Sequence, residues 1–134
     1  MFVDAAAIVA ILSLEAEADR CAKAIMEAAA PFTSSIAVWE AAMALSRSEK
    51  LAIPVARSLE IVGRFLEDRA IALRELPPAS EAAALSVEAA SRFRNNAIRL
   101  NMADCFHYAC ARYYAVPILS TDDEFRLTDL ETVP

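Results

Sequence analysis

Apolar residues recur along this chain at two spacings, one typical of short buried strands and the other of amphipathic helices. Short apolar runs that end at a proline or an acid predict strands, and longer stretches with apolar residues every three or four positions predict helices. The predicted strands are Phe2-Val3, Phe32 to Ser34, Ile71 to Leu76 and Val116 to Leu119. The predicted helices are Ala5 to Leu12, Glu15 to Ala30, Ile36 to about Ser48, Val55 to Arg69, Ala79 to about Asn95, and one after Asn101 that carries Asp104.

Two of these helices have clear apolar faces. In the fourth helix, Leu59, Val62, Leu66 and Ala70 are predicted to point inward, and Gly63 is predicted to mark close packing. In the helix that carries Asp104, the three- and four-residue repeat consists of Met102, Cys105, Phe106, Ala109, Cys110 and Tyr113.

Short strands alternate with helices over the whole length. This order is typical of a parallel sheet covered by helices, so we predict an α/β fold. At 134 residues the chain is long enough for one domain with a substantial core, and no repeat or linker divides it. We therefore expect a single domain that spans residues 1–134.

Acidic residues stand where these elements meet. Asp4 follows the first strand and Asp122-Asp123 follow the fourth, while Glu40 and Asp104 lie on helices. Ligands bind at the carboxyl ends of strands in open parallel sheets, so we expect these acids to share one pocket. Clustered carboxylates repel one another unless they take up protons or bind a hard cation, and oxygen ligands favour Mg²⁺ or Mn²⁺ over zinc.

Each acid also has an interpretation that involves no chemistry. Asp4 could simply end a strand, and Asp104 could be the third residue of a helix capped by Asn101. Thr121 or Asp122 could cap a short helix that follows. These interpretations hold for single residues, but they do not explain why all the acids lie where one cleft would collect them.

A resemblance to a known family is carried by four segments around these acids, which read MFVDAAAIVAIL, SSIAVWEAAMAL, LNMADCFHYACA and PILSTDDEF. Taken in order, they resemble the PIN-domain ribonucleases, most closely the VapC-type toxins of bacterial type II toxin–antitoxin modules. The resemblance covers essentially the whole chain. It implies a three-layer, PIN-like α/β domain in which helices flank a short parallel sheet.

The resemblance also implies a function. It predicts a Mg²⁺-dependent endoribonuclease, with Mn²⁺ as substitute, that cleaves structured or single-stranded RNA such as tRNA or rRNA loops and is neutralised by a cognate antitoxin. Metal binding and catalysis would belong to Asp4, Glu40, Asp104 and one of Asp122 and Asp123. Both alternatives for the fourth acid stay open, because family members place it either two or three residues before the aromatic residue.

One position departs from the family pattern. Members usually carry Ser or Thr two residues after the first Asp, and this chain has Ala6 there. A water could replace the missing hydroxyl, or the activity could be weakened. Asp129, in the ending Thr128-Asp129-Leu130, is interpreted as structural.

Composition limits the partners and the cellular location. Hydrophobic residues make up 57% of the chain, but no window approaches the roughly 20 uninterrupted apolar residues needed to cross a membrane. The opening has no basic leader, so we expect a cytoplasmic protein. The apolar surplus favours a protein partner or a homodimer interface. The resemblance implies that the partner is an antitoxin in a toxin–antitoxin hetero-oligomer. The three cysteines are expected to be buried, not disulfide-bonded.

The formal net charge of −6 repels RNA at long range, so RNA binding requires a local basic patch. The most basic stretch, Ser91 to Asn101, contains Arg92, Arg94 and Arg99. We predict that these arginines contact phosphate beside the acids, with a solvated loop as the alternative. Arg112 is a weaker candidate for the same role.

Two other functions fit the sequence. The first is a PIN nuclease that acts in RNA processing and is not a toxin. The second is a helical interaction module, including a catalytically degenerate copy of the domain, whose acids are helix caps and surface charge.

Overall fold

The structure, a computed structural model, describes residues 1–94 and 99–134. Within these residues the strands are β1 (Phe2–Val3), β2 (Phe32–Ser34), β3 (Ala72–Arg74), β4 (Ile118–Leu119) and β5 (Thr132–Val133). The helices are α1 (Ala5–Leu12), α2 (Ala18–Glu27), α3 (Ser35–Leu45), α4 (Val55–Asp68), α5 (Ala79–Phe93), α6 (Met102–Tyr113) and α7 (Asp123–Arg126).

The five strands form one parallel sheet in the order β3-β2-β1-β4-β5. Val3 on the central strand β1 lies opposite Leu119 on β4. The next residues along each strand, Asp4 and Ser120, therefore lie side by side at the carboxyl edge of the sheet. The predicted α/β class with a parallel sheet is confirmed. The register between β1 and β4 places the two polar side chains together.

Helices cover the sheet and bury its centre. Phe2, Val3, Ile118 and Leu119 have no exposed surface, as expected for parallel strands with both faces covered. α1 packs against α2 and α3, and α6 packs against α5, α3 and β1. Because the strands are buried, their carboxyl ends are held in place. The polar residues at the carboxyl edge of the sheet extend from these ends.

The predicted elements differ from the structure mainly at their ends. α2 is shorter than the predicted Glu15 to Ala30, because Leu14 adopts a left-handed backbone with φ 56° and the chain turns before the helix begins. The predicted end of the fifth helix at Asn95 lies outside the described residues, and α5 ends at Phe93. β5 was not predicted, because Thr132–Val133 contains a single apolar residue and so forms no apolar run.

The predicted inward face of α4 is correct only in part. Val62 and Leu66 are buried, but Leu59 is 51% exposed and Ala70 lies exposed beyond the helix. Phe65 is buried instead. The buried stripe is therefore shifted along the helix relative to the predicted one.

Two further packing predictions are wrong. A Cβ atom built on Gly63 would meet nothing within 4 Å, so this glycine does not mark close packing, and the structure offers no packing reason for it. Met102 is 74% exposed and Tyr113 is 44% exposed. They are the first and last residues of α6, so both lie beyond its buried middle.

Two findings bear on the compositional predictions. Among the helices that the structure describes, none is long and apolar enough to cross a membrane. Cys21, Cys105 and Cys110 are buried free thiols, as predicted.

Candidate active site

A cleft of about 270 Å³ opens at the carboxyl edge of the sheet, between α1, α3 and the turn that precedes α7. Charged side chains of both signs line it, namely Asp4, Glu15, Glu40, Asp122, Arg47 and Lys50. The rest of the lining consists mostly of small apolar residues, including Ala5, Ala6, Val9 and Ala44. The lining therefore combines charged side chains of both signs with small apolar ones.

Asp4 is the innermost acid of this cleft and is only 1% exposed. Its Oδ1 accepts a hydrogen bond from the Ala5 N–H at 2.7 Å, which caps α1, and its Oδ2 accepts one from the Ser120 hydroxyl at 2.6 Å. Burial alone would raise the pKa of Asp4, but the charge of His107 and these hydrogen bonds outweigh burial and hold the pKa below its usual value. Asp4 is therefore an ionised carboxylate locked in one orientation.

Glu40 lies on the face of α3 that borders the cleft, with 29% of its side chain exposed. Ser34 caps this helix by accepting a hydrogen bond from the Ala37 N–H, so capping does not account for Glu40. Burial raises the pKa of Glu40, and repulsion from Asp4 and Asp104 raises it further against the opposing effect of His107. Glu40 therefore shares an electrostatic environment with these two acids.

Asp104 combines two roles. Its Oδ2 accepts a hydrogen bond from the Asn101 N–H at 2.6 Å, and the Asn101 side chain accepts one from the Asp104 N–H at 3.1 Å. This capping box confirms the predicted cap at the start of α6. The residue is only 8% exposed, and burial, together with repulsion from Asp4, raises its pKa despite the hydrogen bond from Asn101. Asp104 thus stabilises a helix and also belongs to the acidic cluster.

The structure separates the two candidates for the fourth acid. Asp122 lines the cleft, and loss of hydration there, followed by repulsion from Asp4 and Asp104, raises its pKa to about 7, although the residue as a whole remains exposed. Asp123 has 93% of its side chain exposed and lies 3.5 Å from the Arg126 guanidinium. Asp122 therefore joins Asp4, Glu40 and Asp104, and Asp123 faces away from them.

Two polar residues of the site were missed by the sequence analysis. Ser120 bonds to Asp4, and His107 lies fully buried between two acids. The His107 Nδ1 is 2.7 Å from Asp4 Oδ1, and its Nε2 is 3.8 Å from Glu40 Oε2. These carboxylates raise the pKa of His107 against the effect of burial. The available signal was its position three residues after Asp104, which puts both side chains on one face of a helix.

The arrangement of donors suits a divalent cation. One ligand atom each from Asp4, Glu40 and His107 lies within 4.8 Å of the other two. Burial raises the pKa values of three carboxyl groups, those of Glu40, Asp104 and Asp122, and repulsion from Asp4 raises each of them further. A cation would relieve that repulsion. A set dominated by carboxylate oxygens fits Mg²⁺ or Mn²⁺.

Comparison with known proteins identifies the family. The PIN domain profile matches residues 1–130. The chain belongs to the PIN-domain family. It is 30% identical over 134 residues to the ribonuclease VapC of Mycolicibacterium smegmatis, covering 99% of each chain. The family and this relative support endoribonuclease activity for the PIN domain described here.

Solved structures share the fold. The crystal structure of the sarcin–ricin-loop-cleaving toxin VapC20 of Mycobacterium tuberculosis matches with a TM-score of 0.76 and 14% identity, over 99% of this chain and 98% of that chain. The crystal structure of FitAcB from Neisseria gonorrhoeae matches with a TM-score of 0.65 and 14% identity, over 99% of this chain and 96% of that one. The PIN-like fold predicted from the sequence is confirmed.

The arginines predicted to bind RNA do not line the cleft of this PIN domain. Arg92 pairs with Glu88 at 2.7 Å and with Asp129 at 3.0 Å. Arg94 and Arg99 are exposed, and the middle of their basic stretch, residues 95–98, lies outside the described residues. Asp129 also accepts a hydrogen bond from the Tyr108 hydroxyl at 2.9 Å, in line with the structural role predicted for it.

Arg112 does not lie beside the acidic cluster, so that predicted placement is wrong. It is eight residues after Asp104 on α6, which is about 12 Å along the helix axis. There it borders a different surface depression, together with Asp129 and Glu131. The helix carries Asp104 at the carboxyl edge of the sheet and Arg112 toward the opposite edge.

The cations that do line the cleft, Arg47 and Lys50, were not predicted. Lys50 forms an ion pair with Glu15, and Arg47 is exposed at the end of α3. Ala6 lines the cleft without a hydroxyl, and Ser120 supplies a hydroxyl to Asp4 from β4 instead. Although this chain has Ala6 in place of the usual Ser or Thr, Asp4 therefore still has a side-chain hydrogen-bond donor.

Proposed function

We propose that this protein is a Mg²⁺- or Mn²⁺-dependent endoribonuclease toxin that cleaves single-stranded loops of structured RNA and is neutralised by a cognate antitoxin. The observation that carries the proposal is that Asp4, Glu40 and Asp122 line one cleft and that Asp104 lies close enough to raise the pKa values of Glu40 and Asp122 by repulsion. Each comes from a different element, and none except Asp4 has a pKa below its usual value. Such a concentration of carboxyl groups is costly to a folded protein unless it binds a cation.

These four carboxylates would hold the ion. Asp4 is already oriented for this role, because the Ala5 N–H donates a hydrogen bond to Oδ1 and the Ser120 hydroxyl donates one to Oδ2. When bound, Mg²⁺ or Mn²⁺ supplies Lewis acidity, which activates water for attack on the phosphodiester and offsets negative charge on the phosphate.

The basic end of the cleft is the proposed contact for RNA phosphate. Glu40 and Ala44 share one face of α3, and Arg47, two residues past the end of that helix, lines the same cleft. The five residue steps from Glu40 to the last helical residue, Leu45, already cover about 7.5 Å along the helix axis. A backbone laid along the cleft would place one phosphate at the acids and another near Arg47. The size of the cleft favours a single strand over a duplex, as in RNA loops.

Exposed apolar side chains beside the acids support a protein partner. Trp39, which precedes Glu40, is 62% exposed, and Met102, two residues before Asp104, is 74% exposed. Large exposed apolar side chains are typical of interaction surfaces. We propose that an antitoxin covers these two side chains, in a toxin–antitoxin hetero-oligomer or on a homodimer of the toxin.

Metal dependence is tested by unfolding the purified protein with and without Mn²⁺ or Mg²⁺. A saturating ion at about 100 times its dissociation constant should raise the free energy of unfolding by about 2.7 kcal/mol. Asp122→Asn should lose most of this gain, and Asp123→Asn, a matched change one residue away, should keep it. An equal response of both variants, or none in the wild type, would contradict the proposed site.

RNA binding and cleavage are tested next on hairpins with single-stranded loops, including the sarcin–ricin loop that VapC20 cleaves. Cleavage should require the metal and should be lost in Asp122→Asn. In that inactive background, Arg47→Ala should reduce the slope of log affinity against log salt by about 0.7 for the lost phosphate. Arg57→Ala removes an exposed arginine that is paired with Glu60 on α4, and should leave the slope unchanged.

The two alternatives predict different results in cells. A PIN nuclease of RNA processing would cleave RNA in vitro, but its expression would not arrest growth. A catalytically degenerate module, which the missing hydroxyl at Ala6 favours, would bind a partner without cleaving RNA. Growth arrest by the wild type, and not by Asp122→Asn, supports the toxin.

A further inference from the structure

We propose that His107 supplies a nitrogen ligand, through Nε2, to the divalent metal of this cleft. The centre would then be a mixed imidazole–carboxylate site that prefers first-row transition ions such as Mn²⁺ to Mg²⁺. This inference rests on the proposed metal dependence and specifies the ligands and the ion.

The His107 ring is placed like a metal-binding imidazole. A metal-bound histidine commonly uses one ring nitrogen for the ion and places the other against a carboxylate, which orients the ring. Here Nδ1 lies 2.7 Å from Asp4 Oδ1, and Nε2 faces Glu40 Oε2 at 3.8 Å. Two donors that each lie about 2.1 Å from a shared ion are at most about 4.2 Å apart. The gap between Nε2 and Glu40 is thus too long for a hydrogen bond but short enough for a shared ion.

His107 is not explained as an ordinary core histidine. Its side chain is fully buried, and within the described part of the chain neither ring nitrogen has an aligned hydrogen-bond partner. Nδ1 is close to Asp4, but it lacks the alignment of a hydrogen bond. Buried polar atoms normally have partners, so a buried Nε2 that faces Glu40 at 3.8 Å and has no hydrogen-bond partner among the described residues indicates a missing ligand.

The sequence spacing supports the same role. Asp104 and His107 are separated by three residues on α6, so their side chains share one face. A carboxylate followed by a histidine at this spacing is a recurrent way for a helix to present two metal ligands. Imidazole nitrogen suits transition ions, whereas Mg²⁺ is held mainly by oxygen, so this residue should shift the preference of the site.

Pulsed electron paramagnetic resonance of the Mn²⁺-loaded wild type, after removal of any histidine tag, tests the inference directly. His107 is the only histidine in the chain, so imidazole ¹⁴N modulation of the Mn²⁺ signal can come from this residue alone. We expect that modulation in the wild type. Bound Mn²⁺ without it would overturn the inference and make His107 a counter-ion of Asp4, while leaving the proposed nuclease intact. Failure to bind Mn²⁺ at all would overturn both.

Metal affinities of variants give a second readout. His107→Gln, which retains most of the side-chain volume, should weaken Mn²⁺ binding by about tenfold or more in calorimetric titrations and should change Mg²⁺ binding less. Tyr108→Phe alters the adjacent buried residue of α6 and should leave the ratio of the two affinities unchanged. A His107→Gln variant with the wild-type ratio would contradict nitrogen ligation.

Discussion

Asp122→Asn should stabilise the metal-free protein at alkaline pH and have little effect at acidic pH. Asp122 lies at the cleft with its pKa raised to about 7, and the structure gives its side chain no hydrogen bond at the start of α7. Asparagine has nearly the same shape, so the substitution removes a charge without removing a cap. The neighbouring acids Asp4 and Asp104 then have one repulsive partner fewer.

The size of the effect follows from the pKa. A rise from 3.8 to about 7 corresponds to roughly 4 kcal/mol of unfavourable ionisation, since each pH unit is worth about 1.4 kcal/mol. Asp122 is exposed, and screening by water reduces this figure to about 1–2 kcal/mol. Because the pKa is raised in the folded state, the wild type loses this stability as pH rises from about 4 to about 7 and loses no more above that range.

Urea unfolding in the presence of a chelator measures the difference. At about pH 4.5 the wild type and Asp122→Asn should differ little, and at about pH 8 the variant should be about 1–2 kcal/mol more stable. Asp123→Asn serves as the control and should show no such gain. If Asp123→Asn gained the stability instead, Asp123 would be the fourth acid. A difference for Asp122→Asn that does not change with pH would refute the electrostatic account of the cleft.

Five further substitutions, at Asn101, Tyr108, Leu66 and Leu59, test capping, hydrogen bonding and packing by urea unfolding with an unchanged m value. Asn101→Ala should lower the free energy of unfolding by about 1 kcal/mol through loss of the cap of α6, and Asn101→Ser should keep most of that stability. Equal losses in the two variants would argue against the cap. Tyr108→Phe should cost about 1 kcal/mol because the hydroxyl bonds to Asp129, and no loss would mean that water replaces that bond. Leu66→Ala should cost about 2–5 kcal/mol and Leu59→Ala less than about 0.5, and the reverse order would contradict the observed face of α4.

The positions of three acids could be predicted because local signals place them. Asp4 follows a short apolar run, Asp104 is the third residue after a capping asparagine, and Glu40 occupies a helix position that capping does not explain. The parallel sheet then brings these elements to one edge. The fold was accessible for the same reason, since alternating short strands and helices leave few topologies.

The choice between Asp122 and Asp123 could not be made from the sequence, because both residues stand in the same acidic turn. Only the direction of the chain as it enters α7 turns one carboxyl group toward the cleft and the other toward water. His107 and Arg47 were missed for a related reason. The helical spacing of His107 from Asp104 was present, and Arg47 follows the helix that carries Glu40, but a single histidine and an ordinary arginine do not stand out until tertiary structure brings them to the site.

The capping box of α6 makes a backbone amide sensitive to the state of the site. The Asn101 N–H donates to Asp104 Oδ2, and that carboxyl group is also part of the acidic cluster. Protonation of Asp104, or binding of a ligand to its carboxylate, weakens the hydrogen bond that this carboxyl group accepts from the Asn101 N–H. Hydrogen exchange at Asn101 should therefore report occupancy of the cleft without a substrate or a label. The backbone amide of the residue that caps α6 would therefore report on the state of the neighbouring site.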